Sequence, residues 1–223
     1  MKKWTELERV TTPDGSVLSL AKHDQDYVFR VNGRELMSTR HSHSEEQLGS
    51  VGCAELGGRR GAHVLIGGLG LGFTLRAALA SLPADARVSV AELLPEVVTW
   101  NQNPAYALAS AELADPRTEV VLGDVARVIE QSSARFDAIL LDADNETTAM
   151  NTAGNSWLYQ AKGLAAVHRA LSAGGQAVYW SAGEDPLFAR RFAGSGFEVE
   201  VERVRRHPSS KASHYLIKGR RKD

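Results

Sequence analysis

The feature that most constrains the fold is a glycine-rich segment between an apolar run and a helical pattern. Residues 62–66 read AHVLI and lead directly into the sequence GGLGLG at 67–72, after which a helix is predicted over 73–82. Glycine lets the backbone turn sharply and lets a ligand lie against it. A strand, a glycine loop and a helix in this order predict a nucleotide-binding loop, although a tight turn without a ligand is the alternative. The expected contact residues are Gly67, Gly68, Gly70 and Gly72.

Strands and helices alternate from this loop onward. The first five predicted strands are continuous apolar runs, which is typical of strands buried on both faces of a parallel sheet. The last two strands predict an antiparallel hairpin through 207–210. The predicted strands are 62–66, 87–91, 118–122, 136–141, 176–180, 197–203 and 212–217. The predicted helices are 73–82, 95–102, 104–113, 125–131, 156–171 and 186–194.

The segment before the loop predicts a small antiparallel meander over residues 10–38. One turn is expected at 23–26, and a second at Asn32-Gly33, where both residues tolerate the positive φ of a tight hairpin turn. Ser44 is expected to open a helix, because Ser44 and Gln47 have capping-box spacing. We therefore predict two domains, a β-meander over 1–43 and a nucleotide-binding domain over 44–223.

Acidic residues follow two of the predicted strands. Glu92, with Leu93 beside it, comes about 20 residues after the glycine loop, where an acid can hold both ribose hydroxyls of a nucleotide. Gly123-Asp124 follows the next strand, and an acid there can accept a hydrogen bond from the amino group of adenine. The alternatives are a solvated loop carboxylate at Glu92 and a helix N-cap at Asp124.

A third acidic segment ends the fourth predicted strand. Asp142 and Asp144 follow the apolar run 138–141, and ligands bind at this carboxyl edge in open α/β sheets. Two carboxylates there can face a cationic sulfonium and an incoming amine. We therefore predict that Asp142 and Asp144 are catalytic and that Asp142 also contacts the cofactor. For Asp144, a role in turning the loop is the alternative.

Together these segments resemble the spermidine synthase family, within the class I methyltransferase fold. The resemblance covers the meander, 44–48, 67–72, Glu92, Gly123-Asp124 and 136–142, and it continues through 157–159 and 171–175 to the terminal hairpin. It implies an α/β fold: a seven-stranded class I methyltransferase (Rossmann-like) sheet with a small N-terminal β-meander. It also implies S-adenosylmethionine or its decarboxylated form as cofactor, and a homodimer, since related enzymes commonly dimerise.

The positions at which the family binds its acceptor depart from the family pattern in this sequence. The family's glutamine, acid pair and tyrosine fall here on Leu36, His41-Ser42 and Glu45, and its later glutamine falls around Tyr179-Trp180. We therefore predict methyl transfer to a small-molecule amine. The alternatives are aminopropyl transfer of the spermidine synthase type and a nucleoside-binding homologue without catalysis.

Four further residues are candidates for the acceptor site: His43, Glu46, Tyr159 and Trp180. Histidine accepts protons near neutral pH, and aromatic faces attract cationic amines. His41, two residues before His43, is a candidate of the same kind. For both histidines the alternative is a polar loop, and for Tyr159 and Trp180 it is core packing. No metal is predicted, because no third ligand has suitable spacing.

The composition limits the classes of partner that we expect for this protein. The formal net charge is -1, so no overall field attracts nucleic acid or an anionic membrane, and the basic C-terminal segment predicts a solvated sheet edge. No apolar run reaches the roughly 20 residues of a membrane span. Cys53 is the only cysteine and the N-terminus is polar, so a cytoplasmic protein with a small-molecule acceptor as its partner is expected.

Overall fold

The computed structural model describes residues 3–12, 15–142, 153–207 and 212–222, without the side chains of 153–155. Two β-sheets organise these residues. A four-stranded antiparallel sheet comes first, and a seven-stranded mixed sheet carries helices on its faces.

The N-terminal sheet has the strand order β1-β2-β3-β4. The predicted turns at 23–26 and at Asn32-Gly33 are confirmed, and both Asn32 and Gly33 have positive φ (50° and 79°). The sheet has one strand more than the sequence predicts, because β1 lies almost entirely before residue 10 and is a largely polar edge strand without an apolar run. Its strands are β1 (Thr5–Thr11), β2 (Val17–His23), β3 (Asp26–Val31) and β4 (Arg34–Ser38).

The helix that links the two sheets, α1 (His43–Cys53), begins earlier than predicted. Its N-cap residue is Ser42, and no side chain caps its backbone N–H groups. The predicted capping box at Ser44 is therefore wrong. Ser44 lies inside the first turn, where its buried hydroxyl bonds to neighbouring side chains instead.

The seven-stranded sheet has the order β10-β11-β9-β8-β5-β6-β7. Strands β5 to β9 are parallel, and the last two strands form an antiparallel hairpin against β9. This order and the terminal hairpin confirm the predicted seven-stranded class I methyltransferase-like architecture. The strands are β5 (His63–Gly67), β6 (Arg87–Glu92), β7 (Thr118–Leu122), β8 (Phe136–Leu141), β9 (Leu171–Ser181), β10 (Phe197–Arg205) and β11 (Ser213–Arg221).

One strand is less buried than predicted. β7 was expected to lie inside the sheet, but it forms an edge, and Leu122 at its end is 61% exposed. An apolar run marks a strand without indicating its position in the sheet, since position depends on the pairing of distant segments.

Two helices differ from the sequence prediction. In 104–113 only the last four residues are helical, because the Asn103 side chain accepts a hydrogen bond from the Ala105 N–H (3.0 Å) and forms a turn. The segment 156–171 contains a break at Gln160, which is extended. The remaining helices are α2 (Phe73–Ser81), α3 (Pro95–Gln102), α4 (Ser110–Leu113), α5 (Val125–Glu130), α6 (Ala153–Leu158), α7 (Ala161–Ala170) and α8 (Pro186–Ala193).

The two sheets share one hydrophobic core. Leu20 and Phe29 of the N-terminal sheet are buried in the same cluster as Leu71 and Trp100 of the larger unit. The Phe29 and Trp100 rings meet edge to face at 5.6 Å. The two predicted domains are thus packed against each other through buried apolar side chains. Among the described residues, no helix is both long and apolar enough to cross a membrane.

Candidate functional site

A cavity of about 350 Å³ lies at the carboxyl edge of the parallel strands, beneath the N-terminal sheet. This volume is within the range of roughly 300–1,000 Å³ that is typical of small-molecule sites. Its walls come from the ends of the parallel strands, from β4 and α1, and from the C-terminal hairpin.

The glycine loop forms part of the floor of this cavity. Gly67, Gly68 and Gly70 line it, and Gly68 and Gly70 have positive φ (93° and 53°). A Cβ atom at Gly70 would lie 2.9 Å from the sulfur of Met37 on β4. Glycine is therefore required here both for the turn and for the close approach of the N-terminal sheet.

Glu92 is buried at the end of β6 and lines the cavity. Its Oε2 accepts a hydrogen bond from Leu69 N and its Oε1 accepts one from Leu94 N, both at 2.9 Å. Burial raises the pKa of this carboxyl, while the backbone N–H groups around it hold the pKa down. Each oxygen has a second lone pair, so Glu92 can fix the loop and still accept hydroxyl groups of a ligand. Glu92 is therefore buried and is not a solvated loop carboxylate, which was the alternative interpretation of the sequence.

Asp124 combines the two roles that the sequence left open. Its Oδ1 accepts a hydrogen bond from Ala126 N (2.8 Å), which makes it the N-cap of α5. The cavity is lined by Gly123 and Asp124, and also by Leu93, which is a predicted ligand contact and is 46% exposed. The helix cap is thus established, and contact with adenine stays a prediction.

Asp142 lines the cavity where β8 ends. Its backbone N–H donates to the carbonyl oxygen of Gly67 (3.4 Å), which ties the end of β8 to the start of the glycine loop. The other predicted catalytic residue, Asp144, lies outside the described residues.

The strand order divides the cavity into two halves. The glycine loop, Glu92 and Asp124 follow β5, β6 and β7, whereas Trp180, His214 and Arg206 belong to β9 and the terminal hairpin on the other side of Asp142. Neighbouring strands lie about 4.8 Å apart, so β7 and β9 are separated by roughly 19 Å. This distance suits a nucleoside on one side and a second substrate on the other.

The N-terminal sheet and α1 close the cavity from above. Glu35, Leu36 and Met37 of β4 line it, as do His41 and Glu45. Carboxylates therefore face the cavity from its upper wall as well as from the strand ends. The charged side chains and histidines that line it are Glu35, His41, Glu45, Glu92, Asp124, Asp142, Arg206 and His214.

Several predicted residues do not line this cavity. His43 and Glu46 lie on α1, where successive residues point in different directions. The nearby residues His41 and Glu45 line the cavity, whereas His43 and Glu46 do not. Glu46 instead accepts a hydrogen bond from the Ser42 hydroxyl (2.8 Å). Gly72 is the N-cap of α2, and a Cβ there would lie 2.3 Å from that of Ala109.

The two predicted aromatic residues have different environments. Trp180 is 8% exposed and lines the cavity, whereas Tyr159 packs in an aromatic cluster with Tyr179 (5.3 Å between ring centroids) and Phe188 (5.0 Å). Tyr159 and Trp180 also line a second pocket of about 240 Å³. Tyr159 is thus half-buried against an aromatic cluster and does not line the larger cavity.

Three residues that line the cavity carry no sequence signal for ligand contact: Glu35, Arg206 and His214. Glu35 and Arg206 lie in segments that read as a hairpin and as a charged edge, and nothing local marks His214. Within the described ranges, no group of three or more His, Cys, Asp or Glu side chains could hold a metal ion.

The fold is shared with solved spermidine synthases, although no protein-family model and no curated protein sequence matches this chain. The Thermotoga maritima spermidine synthase aligns with a TM-score of 0.77 at 20% identity, over 97% of this chain and 73% of that one. A spermidine synthase in complex with the transition state analogue AdoDATO gives 0.75 at 19% identity, over 97% and 72%. A probable spermidine synthase from Corynebacterium glutamicum ATCC 13032 gives 0.65 at 18% identity, over 99% and 81%.

Proposed function

We propose that this protein is a transferase that moves an alkyl group from a sulfonium nucleoside to an amine, and that the group is the aminopropyl group of decarboxylated S-adenosylmethionine. The observation that carries the proposal is the single cavity that joins two sets of acids. Glu92 and Asp124 lie in its nucleoside half, and Glu35, Glu45 and Asp142 surround the remaining space.

The nucleoside half fits the donor through its hydrogen-bond acceptors and its bare backbone. Glu92 would accept the ribose hydroxyls, and Asp124 would accept the adenine amino group with the oxygen that does not cap α5. Gly68 leaves space that a side chain would fill, since only the carbonyl oxygen of Asp142, at 3.7 Å, lies near the position of a Cβ there. A sulfonium donor supplies an alkyl carbon with a good leaving group, so the protein has to align the reactants and exclude water.

The remaining half fits a cationic amine. Asp142 lies between the two halves, where its carboxylate would orient the amine toward the carbon to be transferred. Among the described residues, five carboxylates and one arginine, Arg206, line the cavity. Such a field attracts ammonium groups and stabilises the charge that the nitrogen acquires as it attacks.

This proposal reverses the preference between the two transfer reactions. The departures at Leu36 and Glu45 led us to predict methyl transfer, which stays untested. Solved structures that share the fold include spermidine synthases, and an aminopropyl donor and an amine acceptor both carry ammonium groups that suit an acidic cavity. Both observations favour aminopropyl transfer.

Methyl transfer is the second candidate because of one observation. The loop 67–72 contains no ionisable side chain, so it offers backbone groups and no carboxylate to the tail of the donor. Backbone N–H and C=O groups can hold the carboxylate and the amino group of an intact methionyl tail.

Calorimetry with S-adenosylmethionine and its decarboxylated form, followed by mass spectrometry of products from a panel of diamines and monoamines, tests the proposal. We expect tighter binding of the decarboxylated donor and a mass increase of one aminopropyl group. A mass increase of one methyl group would establish the second candidate. Binding of both donors without any product would identify a non-catalytic nucleoside-binding protein.

Asp142→Asn tests the role of the carboxylate at the end of β8. If Asp142 acts in the transition state, turnover should fall strongly while donor affinity changes little. Asparagine preserves size, so thermal stability should stay near that of the wild type. Near-normal turnover in the folded variant would exclude Asp142 from the reaction.

A further inference from the structure

A hydrogen-bonded series of three side chains runs along one wall of the cavity. The Ser44 hydroxyl donates to Glu45 Oε2 (2.6 Å) and lies 2.9 Å from His214 Nδ1. Ser44 is 1% exposed, while Glu45 and His214 both line the cavity. The series therefore connects the first turn of α1 with the start of β11, which are 170 residues apart in the chain.

The donors in this series can be ordered. A serine hydroxyl has one proton, and Ser44 gives it to the carboxylate of Glu45. Ser44 Oγ must then accept from His214, so Nδ1 of the imidazole carries a proton, an assignment that follows from the network. The His214 ring is held in place by Trp180, whose ring centroid is 4.6 Å away in an edge-to-face arrangement.

The surroundings of Glu45 make it a stronger base than an ordinary glutamate. Burial raises the pKa of its carboxyl, and the charge of Glu46 raises it further, while the Ser44 hydroxyl and the charge of Arg206 lower it. A proton acceptor is most effective when its pKa approaches the working pH. The other charged or titratable groups that line the same cavity are Glu35, His41, Glu92, Asp124, Asp142 and His214.

We propose that Glu45 accepts the proton of the amine substrate, and that Ser44 and His214 are positioning residues that hold its carboxylate toward the cavity. This inference rests on the proposed transfer to an amine. It assigns to Glu45 a task distinct from that of Asp142, which orients the nitrogen.

The acceptor enters as an ammonium ion and gives one proton to the Glu45 carboxylate, which frees the nitrogen lone pair. That lone pair forms a bond to the carbon attached to sulfur, and the carbon–sulfur bond breaks with its electron pair going to sulfur. The products are a neutral thioether nucleoside, an alkylated ammonium ion and a protonated Glu45, which releases its proton to solvent.

The test is the pH dependence of turnover in Glu45→Gln, with Glu130→Gln, an exposed carboxylate on α5, as the matched control. Near pH 7 we expect Glu45→Gln to lose roughly 10²–10⁴-fold in turnover, the usual contribution of a positioned base. The loss should shrink as the pH approaches about 10, where a free amine is deprotonated in solution. Donor affinity and circular dichroism should match the wild type.

Ser44→Ala separates positioning from a merely structural role. Because the Ser44 hydrogen bond lowers the pKa of Glu45, its loss should move the acidic limb of the turnover profile to higher pH. Turnover falls as the pH drops through that pKa, since only the ionised carboxylate accepts a proton. A variant that only loosens the α1–β11 contact would lose stability without moving the limb.

The outcomes separate the two proposals. If the wild type transfers no group to any amine, the proposed function fails and the assignment of Glu45 fails with it. If the wild type is active and the Glu45→Gln profile runs parallel to it from pH 6 to 10, the assignment of Glu45 alone is overturned.

Discussion

Glu92 has two tasks that a single carboxylate can perform together. It holds the backbone of Leu69 and Leu94, and it faces the cavity with its remaining lone pairs. A buried charge is stable only when hydrogen bonds compensate for the lost water, and here the backbone N–H groups supply them. The residue therefore links the shape of the glycine loop to the wall of the cavity.

Replacing Glu92 with glutamine should weaken the binding of S-adenosylmethionine and of methylthioadenosine alike, because both contain the ribose. A hydrogen bond to a charged group contributes about 1.5–3 kcal/mol, so a loss of roughly tenfold or more is expected. Calorimetry measures this loss, with Glu119→Gln, an exposed carboxylate on β7, as the control. Unchanged affinity in a folded Glu92→Gln variant would remove Glu92 from the site.

Asp124 allows capping and ligand binding to be measured separately. Asparagine is as good an N-cap as aspartate, whereas alanine is not. Asp124→Ala should therefore lower the free energy of unfolding by about 1 kcal/mol, and Asp124→Asn should leave it nearly unchanged. Both variants should bind adenine nucleosides more weakly. Full affinity in Asp124→Asn would show that Asp124 only caps α5.

At the scale of elements, the contact between β4 and the glycine loop closes the cavity. Met37 lies against Gly70, so any side chain at position 70 competes with the N-terminal sheet for the same space. The path of β4 thus depends on a glycine in the loop that follows β5 of the other sheet.

Gly70→Ala should weaken donor binding and lower the melting temperature, because its Cβ would meet Met37 at 2.9 Å. Adding Met37→Ala should restore part of the affinity, since it removes the steric contact but not the backbone strain. Gly61→Ala is the matched control: its φ of 64° imposes similar strain, and no atom lies within 4 Å of the added Cβ. Equal affinity losses in Gly70→Ala and Gly61→Ala would exclude the steric explanation.

At the scale of the whole molecule, the shared core should make the two sheets unfold together. Leu20 of the N-terminal sheet is fully buried in the cluster that also contains Leu71 and Trp100. Leu20→Ala should cost about 2–5 kcal/mol of stability and shift the near- and far-ultraviolet transitions together. Leu187→Ala, at a position that is 69% exposed, should change stability by less than about 0.5 kcal/mol. Two separate transitions would indicate that the sheets fold independently.

The cavity also belongs to the whole molecule, since no single segment contains it. Its lining residues come from positions as distant as Leu18 and His214. Truncation of either end of the chain would therefore remove part of the cavity wall, even if the glycine loop and Glu92 were retained.

Local sequence signals were sufficient to predict the architecture and the acidic residues on one side of the cavity. Apolar runs, the glycine loop and the Asn32-Gly33 turn are local signals, because backbone conformation and strand burial depend on nearby residues. The acids Glu92, Asp124 and Asp142 could be located because each directly follows a strand, and the ends of parallel strands meet at one edge of the sheet.

The other side of the cavity depends on tertiary packing. The edge position of β7, the presence of Glu45 rather than Glu46 in the cavity wall, and the contact between Ser44 and His214 all depend on distant segments. Successive residues of a helix point about 100° apart, so the choice between Glu45 and Glu46 depends on which face of α1 packs against the cavity. Pairing between segments far apart in the chain has no local signature, and this is why His214 could be found only in the folded protein.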